Sequence, residues 1–376
     1  MRFLKLDTGV IRSFDEALGP EVRVVATGPG KGLSLLARHR GWPAALAVLA
    51  GALVAPGEAA AQAVEGNLAR KRIRLPQVFG NPVIGGIYGY SKRVQAAVLR
   101  RALEAELAAT DPEITIVYNG SVFPETVLEA VSRGRRRVFI EAGFFPGTLQ
   151  FDPVGLNGAN SVPRDPAFYL GAEDFAAEGL PEAVNNRPSK SRYAPVTLEP
   201  GYVFVPFQVP SDMQVTVHSP WVRDMEQFLD VVCDAAERNP GETFVIKEHP
   251  SFKRSVMGRR SHPRVIFANG NVTSELIRDA RAVLTLNSTV GIEGLLLGKP
   301  VMTLGKACYN LPGLVQHAEA SGALDAALAA RDWAPDERLR RQFLGYLWNR
   351  YLVRGSYKAL PGDLGAVLEE KSRPPG

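Results

Sequence analysis

Cysteine is scarce in this chain of 376 residues, which contains only Cys233 and Cys308 and no CxxC pair. The scarcity argues against a disulfide-stapled fold and a cysteine-ligated zinc site, and it is typical of a protein kept in the reducing cytosol. Other metal-ligand patterns, such as HExxH or a DxD-type pair, are also missing. We therefore expect a protein that works without a metal or other cofactor.

Long hydrophobic runs are missing too. The N-terminus lacks the apolar core of a signal peptide, and the most apolar segment, 42–61, is interrupted by Pro43 and by Pro56-Gly57-Glu58. A membrane-spanning helix needs about 20 consecutive apolar residues. We therefore expect 42–61 to form a helix buried within a domain, with a membrane-facing amphipathic helix as the alternative.

A strong excess of either charge is absent as well, since the formal net charge is only +5. A small positive balance favours anionic partners such as nucleotides, acidic sugars or a phospholipid surface, and it is too small to predict nucleic-acid binding. Arginine and lysine cluster at 70–74 and at 133–137. The ordinary interpretation of such clusters is solvated helix ends and loops.

Apolar periodicity predicts strands that alternate with helices. The predicted strands are 22–27, 114–118, 138–140, 202–206, 243–246, 265–267, 282–286 and 301–304, and the predicted helices are 92–109, 124–131, 220–238 and 272–278. Such alternation indicates mostly parallel, Rossmann-like sheets, and the length favours two domains. Because 141–191 is rich in Gly, Pro and Asn and weakly periodic, we place the boundary near residue 195, giving domains 1–195 and 196–345. The remainder, 346–376, is expected to be a C-terminal helix or tail that can pack back on the N-terminal domain.

Polar residues follow several of the predicted strands directly. One strand ends in Lys247-Glu248-His249-Pro250, and another ends in Asn287-Ser288-Thr289 at the start of a helix. Ligands of open α/β sheets bind outside the carboxyl ends of the strands. The sequence therefore predicts one site at this edge.

Five sequence patches between residues 138 and 313 can be read together. They are FIEAGFFP from Phe139, GLNG from Gly155 with the following Asn160-Ser161 and Pro163-Arg164-Asp165, VPFQVPSDMQ from Val205 with His218-Ser219-Pro220, KEHP from Lys247, and LNSTVG from Leu286 through to Gly313. In this order they resemble the bacterial capsule polysaccharide synthesis family of β-Kdo transferases, and most closely its single-module, initiating type.

The resemblance implies a GT-B fold, in which two Rossmann-like domains flank an active-site cleft. It implies an N-terminal acceptor-binding domain, a C-terminal domain that binds the donor CMP-β-Kdo, and transfer with retention to a (lyso)phosphatidylglycerol or Kdo-primed glycolipid. The expected location is cytoplasmic and peripheral, at the inner face of the cytoplasmic membrane. The membrane surface and the capsule assembly machinery are candidate partners, and nucleic acid is not.

Retention normally needs a carboxylate nucleophile and a second acid/base group. We assign Asp212 as the nucleophile, flanked by Gln208 and Gln214, and Glu141 as the general base on the acceptor hydroxyl. His249 is the candidate donor to the CMP phosphate. The alternatives are that Asp212 caps a helix or turn, that Glu141 is structural, and that His249 is a loop histidine.

The predicted donor site centres on the helix that starts at Ser288 and Thr289, where hydroxyls and free backbone amides favour an anion. An ordinary Ser N-cap is the alternative, and both roles can hold together. Glu293 is a candidate partner of the ribose hydroxyls. The nucleotide-binding candidates are Gln208, Gln214, Lys247, His249, Pro250, Asn287, Ser288, Thr289 and Glu293, and the acceptor or Kdo candidates are Asn157, Arg164 and Lys306.

Two alternative functions remain open at this point. One is a GT-B enzyme that uses another nucleotide sugar, as a UDP-sugar transferase or epimerase does. The other is a non-catalytic scaffold of capsule assembly that has kept the fold.

Overall fold

A computed structural model describes residues 1–28, 30–182, 193–216, 218–251 and 254–373. The chain divides into two compact units. The first unit comprises Met1–Gly143, Gly147–Ser161 and Val353–Gly376, and the second comprises Phe144–Pro146 and Val162–Leu352.

The strands of both units are short and mostly buried. They are β1 Phe3–Leu6, β2 Val22–Val25, β3 Ile114–Tyr118, β4 Arg137–Ala142, β5 Thr148–Asp152, β6 Val203–Pro206, β7 Phe244–Lys247, β8 Val265–Phe267, β9 Ala282–Thr285, β10 Val301–Thr303, β11 Gln316–His317 and β12 Val353–Arg354.

The helices lie between these strands. They are α1 Ser13–Leu18, α2 Lys31–Arg40, α3 Trp42–Val54, α4 Glu58–Arg74, α5 Pro76–Phe79, α6 Pro82–Thr110, α7 Glu125–Val131, α8 Pro166–Tyr169, α9 Met213–Thr216, α10 Met225–Arg238, α11 Thr273–Asp279, α12 Thr289–Leu296, α13 Ser321–Ala329, α14 Glu337–Tyr346 and α15 Leu364–Lys371. Short 3-10 turns occur at Gly9–Ile11, Gly19–Glu21 and Asn157–Ala159, and a π-helical turn, Leu347–Tyr351, extends α14.

Each unit contains one sheet of six described strands. The first sheet has the order β12-β5-β4-β3-β1-β2, and β1 to β4 are parallel, whereas β5 and β12 join as antiparallel strands. The second sheet has the order β11-β10-β9-β6-β7-β8 and is parallel throughout. The prediction of two Rossmann-like α/β units, as a GT-B fold requires, is confirmed.

Apolar layers cover both faces of each sheet, which explains why the strands read as continuous apolar runs. In β6, Phe204 packs on one face with Val283 and Phe343, while Val205 packs on the other face with Phe228. A parallel sheet buried in this way offers polar groups to ligands only at its ends, and this positions the site.

The structure adds four strands that periodicity did not predict, β1, β5, β11 and β12, and two of them, β1 and β5, are longer than two residues. β1 is four residues long and includes Lys5, a residue type that argues against a buried strand, yet its ammonium is fully buried and donates to Asp15 at 2.5 Å. β5 lies inside the segment predicted to be irregular. Both were missed because tertiary pairing stabilises strands too short or too polar to show a period.

The domain boundary near residue 195 needs correction, because the chain passes into the second unit at Val162. Tyr169 is fully buried with its ring 5.4 Å from that of Phe343, and the backbone N–H of Phe175 donates to Gln342. These contacts attach the segment after Val162 to α14. From Val353 onward the C-terminal segment belongs to the first unit, where β12 pairs with β5, in agreement with the expectation that it packs back on the N-terminal domain.

The expectation of a buried helix over 42–61 is wrong for most of its large apolar side chains. α3 buries Ala45 and Ala52, whereas Trp42 and Leu53 are exposed and Val54 is 86% exposed. No single helix among the described residues is long and apolar enough to cross a membrane. Within the described ranges, one pair of helices, α3 and α4, meets that length and composition when taken together, and the two are bent by 67° at their junction.

A buried carboxyl group makes the stability of the first unit depend on pH. Burial raises the pKa of Glu125 from 4.5 to about 7, although Thr8 Oγ donates to it at 2.6 Å and the Tyr118 N–H at 3.2 Å. The unfolded chain ionises this group first as the pH rises, so the folded state loses stability between about pH 4.5 and about pH 7.

We predict that Glu125→Gln abolishes this loss. The variant should gain about 3 kcal/mol relative to the wild type when the pH is changed from about 5 to about 8, since one pKa unit corresponds to about 1.4 kcal/mol. Urea denaturation at both pH values measures the difference. The exposed Glu16→Gln is the control, and equal pH profiles for Glu125→Gln and the wild type would contradict the assignment.

Candidate active site

The buried amide of Asn287 joins three segments at the carboxyl edge of the second sheet. Asn287 follows β9 and is 2% exposed. Its Nδ2 donates to the backbone carbonyls of Gln214 at 2.8 Å and His218 at 3.2 Å, and its Oδ1 accepts from Gln208 Nε2 at 3.0 Å. One side chain therefore fixes the segment after β6 and the 212–218 loop against the end of β9.

The segment after β10 joins the same arrangement. Gly305 N–H donates to the Leu286 carbonyl at 2.8 Å, and Lys306 N–H donates to the His218 carbonyl at 2.7 Å. A Cβ at Gly305 would lie 3.1 Å from both Asn287 Nδ2 and the His218 carbonyl oxygen, closer than side chains normally pack. A glycine at this position keeps the strand ends close together.

Asp212 stands exposed at the rim of this arrangement. Its Oδ1 accepts from the Gln214 N–H at 3.0 Å, and its carbonyl accepts from the N–H groups of Val215 and Thr216. Asp212 therefore caps α9 by its backbone and by one carboxylate oxygen. Capping and an exposed carboxylate are compatible, because Oδ1 is the only carboxylate oxygen that bonds to a described residue.

Unsatisfied polar atoms concentrate beside Asp212. Seven buried side-chain atoms of the described residues lack a hydrogen-bond partner, and three of them are Gln214 Oε1, His218 Nε2 and Ser219 Oγ. Burial lowers the pKa of His218, with the charge of Lys306 acting in the same direction and that of Asp212 opposing it. A neutral imidazole and two further unpaired polar atoms fit a site that binds a polar ligand.

His249 follows β7 and shares a small pocket with Gln208, Pro210, Met225 and Arg254. Its Nδ1 accepts from the N–H of Ser251 at 3.2 Å and lies 2.8 Å from the Ser251 hydroxyl. Acceptance at Nδ1 places the hydrogen of the neutral ring on Nε2. In this orientation Nε2 can donate to an anionic oxygen.

The two residues before His249 have structural partners. Glu248 accepts from the Val256 N–H at 2.7 Å and from Asn269 Nδ2 at 2.8 Å. The buried ammonium of Lys247, a predicted donor-site residue, donates to the Asn271 carbonyl, and burial lowers its pKa. Both side chains hold loops at the strand end. Pro250 is exposed just beyond them.

The start of α12 has the predicted N-cap. Ser288 Oγ accepts from the Val290 N–H at 3.2 Å, and Tyr309 Oη donates to the Ser288 carbonyl at 2.5 Å. Thr289 is the first helical residue and is half-buried, whereas Glu293 is only 4% exposed. Tyr309, which the sequence did not suggest, positions this helix start by packing where a Cβ of Gly291 would lie.

In the first unit, Glu141 lies near the end of β4, half-buried, and Asn119 Nδ2 donates to its carboxylate. Tyr118 and Tyr357 lie nearby with their rings 6.1 Å apart. The pKa values of both tyrosines are raised, first by burial and then by the charge of Glu141. Asn119 and the two tyrosines were not predicted, although the Asn119-Gly120-Ser121 strand end was visible in the sequence.

The acceptor candidates are dispersed. Asn157 lies in a 3-10 turn of the first unit with a positive φ of 57°. Arg164 lies in the second unit and donates to the Val162 carbonyl. Lys306 is the acceptor candidate that lies beside the Asn287 amide.

The structure thus brings together most predicted residues of the second unit. Gln208, Asp212, Gln214, Asn287, Ser288 and Lys306 meet at one edge of its sheet, and His249 joins them through the pocket that it shares with Gln208. Glu141 and Asn157 belong to the first unit. Among the described residues, no group of three His, Cys, Asp or Glu side chains is placed to hold a metal ion.

Comparison with known proteins identifies the family. Residues 192–357 match the family model described as "Capsule polysaccharide biosynthesis protein". The chain is 56% identical over 369 residues to Protein FixF of Sinorhizobium fredii, covering 97% of this chain and 92% of the relative. It is 26% identical over 296 residues to the capsule polysaccharide export protein KpsS of Escherichia coli, covering 61% of this chain and 74% of the relative. The chain belongs to the capsule polysaccharide biosynthesis family.

A solved structure is also similar at low identity. The β-Kdo 2,4 transferase of Thermosulfurimonas dismutans KpsC matches with a TM-score of 0.46 and 19% identity, over 70% of this chain and 88% of that chain.

We predict that Asn287→Ala loosens the site and lowers the free energy of unfolding by about 2–3 kcal/mol, because buried carbonyls lose their donor. Urea denaturation measures the loss. Asn239→Ala is the control and should cost less, because it removes an amide bonded to the Ala235 carbonyl and to the partly exposed carboxylate of Asp325 in the same unit. An unchanged stability of Asn287→Ala would show that the amide is dispensable.

Proposed function

We propose that this protein is a retaining glycosyltransferase that moves β-Kdo from CMP-β-Kdo to a lipid acceptor in capsule linker synthesis. The observation that carries the proposal is the exposed carboxylate of Asp212, held at the rim of the Asn287 amide arrangement with the half-buried His218 beside it. Family membership supports the same conclusion.

Two displacements at the anomeric carbon give retention. In the first, an oxygen of Asp212 attacks that carbon, the bond to the CMP phosphate oxygen breaks, and CMP leaves with the electron pair. In the second, Glu141 takes the proton of the acceptor hydroxyl, whose oxygen attacks the same carbon and releases the Asp212 carboxylate.

The leaving CMP develops negative charge that the second unit is built to stabilise. His249 donates from Nε2 to the phosphate, because its Nδ1 is used as an acceptor by Ser251. The start of α12, with Ser288 and Thr289, adds backbone N–H groups and the positive end of the helix dipole. Side chains and dipoles supply this stabilisation, and the proposal needs no metal.

The acceptor is a (lyso)phosphatidylglycerol or a Kdo-primed glycolipid, and the protein works peripherally at the inner face of the cytoplasmic membrane. The exposed apolar side chains of α3 support a lipid partner. The name of the KpsS relative, a capsule polysaccharide export protein, supports an association with capsule assembly machinery.

The test is incubation of the purified protein with CMP-Kdo and fluorescent lyso-phosphatidylglycerol, with products read by mass spectrometry. Wild-type protein should add one Kdo, and Asp212→Asn should lower the rate at least about a thousandfold, because the nucleophile is lost. The variant should still bind CMP, since Asn retains the helix cap.

Asp224→Asn is a matched control, because Asp224 caps α10 in the same way by accepting from the Gln227 N–H. It should keep wild-type activity. Full activity of Asp212→Asn would reject the nucleophile. Extension of only a Kdo-primed lipid would assign chain elongation, and competition by UDP rather than CMP would indicate another nucleotide sugar.

We further predict that His249→Ala slows transfer by about a hundredfold, because a donor to the leaving phosphate is removed. The rate loss should shrink with a donor whose leaving group is less basic. His262→Ala is the control, since His262 Nδ1 likewise accepts a backbone N–H two residues on, from Arg264. Equal rates for His249→Ala and His262→Ala would reject the phosphate contact.

A further inference from the structure

We propose that one face of the first unit docks on an anionic phospholipid bilayer, with a lipid phosphate held in a basic pocket on α4. The docking itself is independent of sugar transfer. Only the final step, which makes that bound lipid the acceptor, rests on the proposed function.

The basic pocket has a volume of about 460 Å³ and is lined by Asn67, Arg70, Lys71, Arg74, Leu75 and Val122. Asn67 lies three and four positions before the adjacent Arg70 and Lys71, and Arg74 lies four and three positions after them, so the four residues share one face of α4. They bring three cations and one amide to a single concavity, and no acidic residue is among the lining residues. Its charge and donors fit a phosphate group.

An apolar surface continues directly from this pocket. Large exposed side chains occupy the turn after α4, α5 and the first turns of α6; they are Leu75, Val78, Val83, Ile84 and Ile87. Val83 is 65% exposed and Ile87 is 68% exposed. Apolar groups clustered in this way on a protein surface mark an interaction site.

α3 extends the same surface. Tyr90 on α6 donates its hydroxyl to the Leu53 carbonyl, so the exposed end of α3, Leu53 and Val54, lies beside the exposed start of α6. Leu46 and Trp42 are also exposed and lie seven and eleven positions before Leu53, a spacing that places them on the same side of the helix. We call Leu53, Val54, Leu75, Val78, Val83, Ile84 and Ile87 the docking face.

Lysines at the pocket contact aromatic rings beside the docking face. The ammonium of Lys71 lies 5.6 Å from the Phe79 ring centroid and 6.0 Å from that of Tyr88, and that of Lys92 lies 5.9 Å from Tyr88. Basic side chains next to exposed apolar ones are the signature of a surface that inserts into the headgroup region of an anionic membrane. This charge complementarity identifies the bilayer as the occupant.

The pocket lies close to the proposed catalytic base. Val122 lines it, and the preceding Ser121 hydroxyl bonds to Asn119, whose amide donates to Glu141. Arg70 and Glu141 both act on the charge state of Tyr118. We assign the lipid bound there as the acceptor because these hydrogen bonds connect the wall of the pocket to Glu141.

The experiment is co-sedimentation of the full chain with vesicles of phosphatidylcholine, with and without phosphatidylglycerol. Wild-type protein should bind the anionic vesicles and be released as salt rises from about 0.1 M to about 1 M. Combined Arg70→Gln, Lys71→Gln and Arg74→Gln should weaken binding on the order of a hundredfold, at about 1 kcal/mol per charge. Val83→Ser with Ile87→Ser should weaken it on the order of tenfold.

Matched controls lie on the same unit. Arg100→Gln with Arg101→Gln removes exposed charge from another part of α6, and Val10→Ser with Val154→Ser removes exposed apolar side chains elsewhere. Circular dichroism melting verifies that every variant is folded. The proposal would be overturned if wild-type protein bound vesicles equally well with and without phosphatidylglycerol. Equal losses of vesicle binding in the test and control variants would also overturn it.

The vesicle assay contains no donor sugar, so it tests the docking face independently of the proposed Kdo transferase activity. Vesicle binding without any Kdo transfer would reject the proposed function and support the docking face. Kdo transfer to a short-chain, water-soluble lipid by a protein that does not bind vesicles would reject the docking face alone.

Discussion

The candidate site of the second unit depends on one buried amide. The Asn287 carboxamide bonds to Gln208, Gln214 and His218, which all lie between β6 and α10, and so holds this connection against the end of β9. Because a buried carbonyl without a donor costs about 1–3 kcal/mol, the loop that carries Asp212 has little freedom to move away. The position of the carboxylate is therefore set by hydrogen bonds made elsewhere in the chain.

The apolar layers explain why polar chemistry gathers at this edge. Both faces of the parallel sheet are buried, so only the strand ends meet solvent. The unit leaves buried polar atoms of Gln214, His218 and Ser219 unpaired at that place. Unpaired buried polar atoms are destabilising, and a bound polar ligand can supply the missing hydrogen bonds.

The first unit combines charge and exposed apolar surface in another way. Buried Glu125 and half-buried Glu141 flank the end of β3, and burial together with their charges raises the pKa of Tyr118. In the same unit, α4 presents its cations next to the exposed apolar residues at the start of α6. The proposed general base, Glu141, and the proposed docking face therefore both belong to the first unit.

The sequence by itself determined the two α/β units, strands such as β3 and β8, and the family motifs, because each is a local pattern of apolar residues or a contiguous string. It also indicated that polar strand ends converge. Only tertiary structure decided that the side chains of Lys247 and Glu248 form hydrogen bonds with loops. It also decided that β1 buries Lys5 and that the residues after Val162 join the second unit. Those outcomes depend on contacts between residues that are distant in sequence. The local sequence around a side chain does not show which distant residue it will contact.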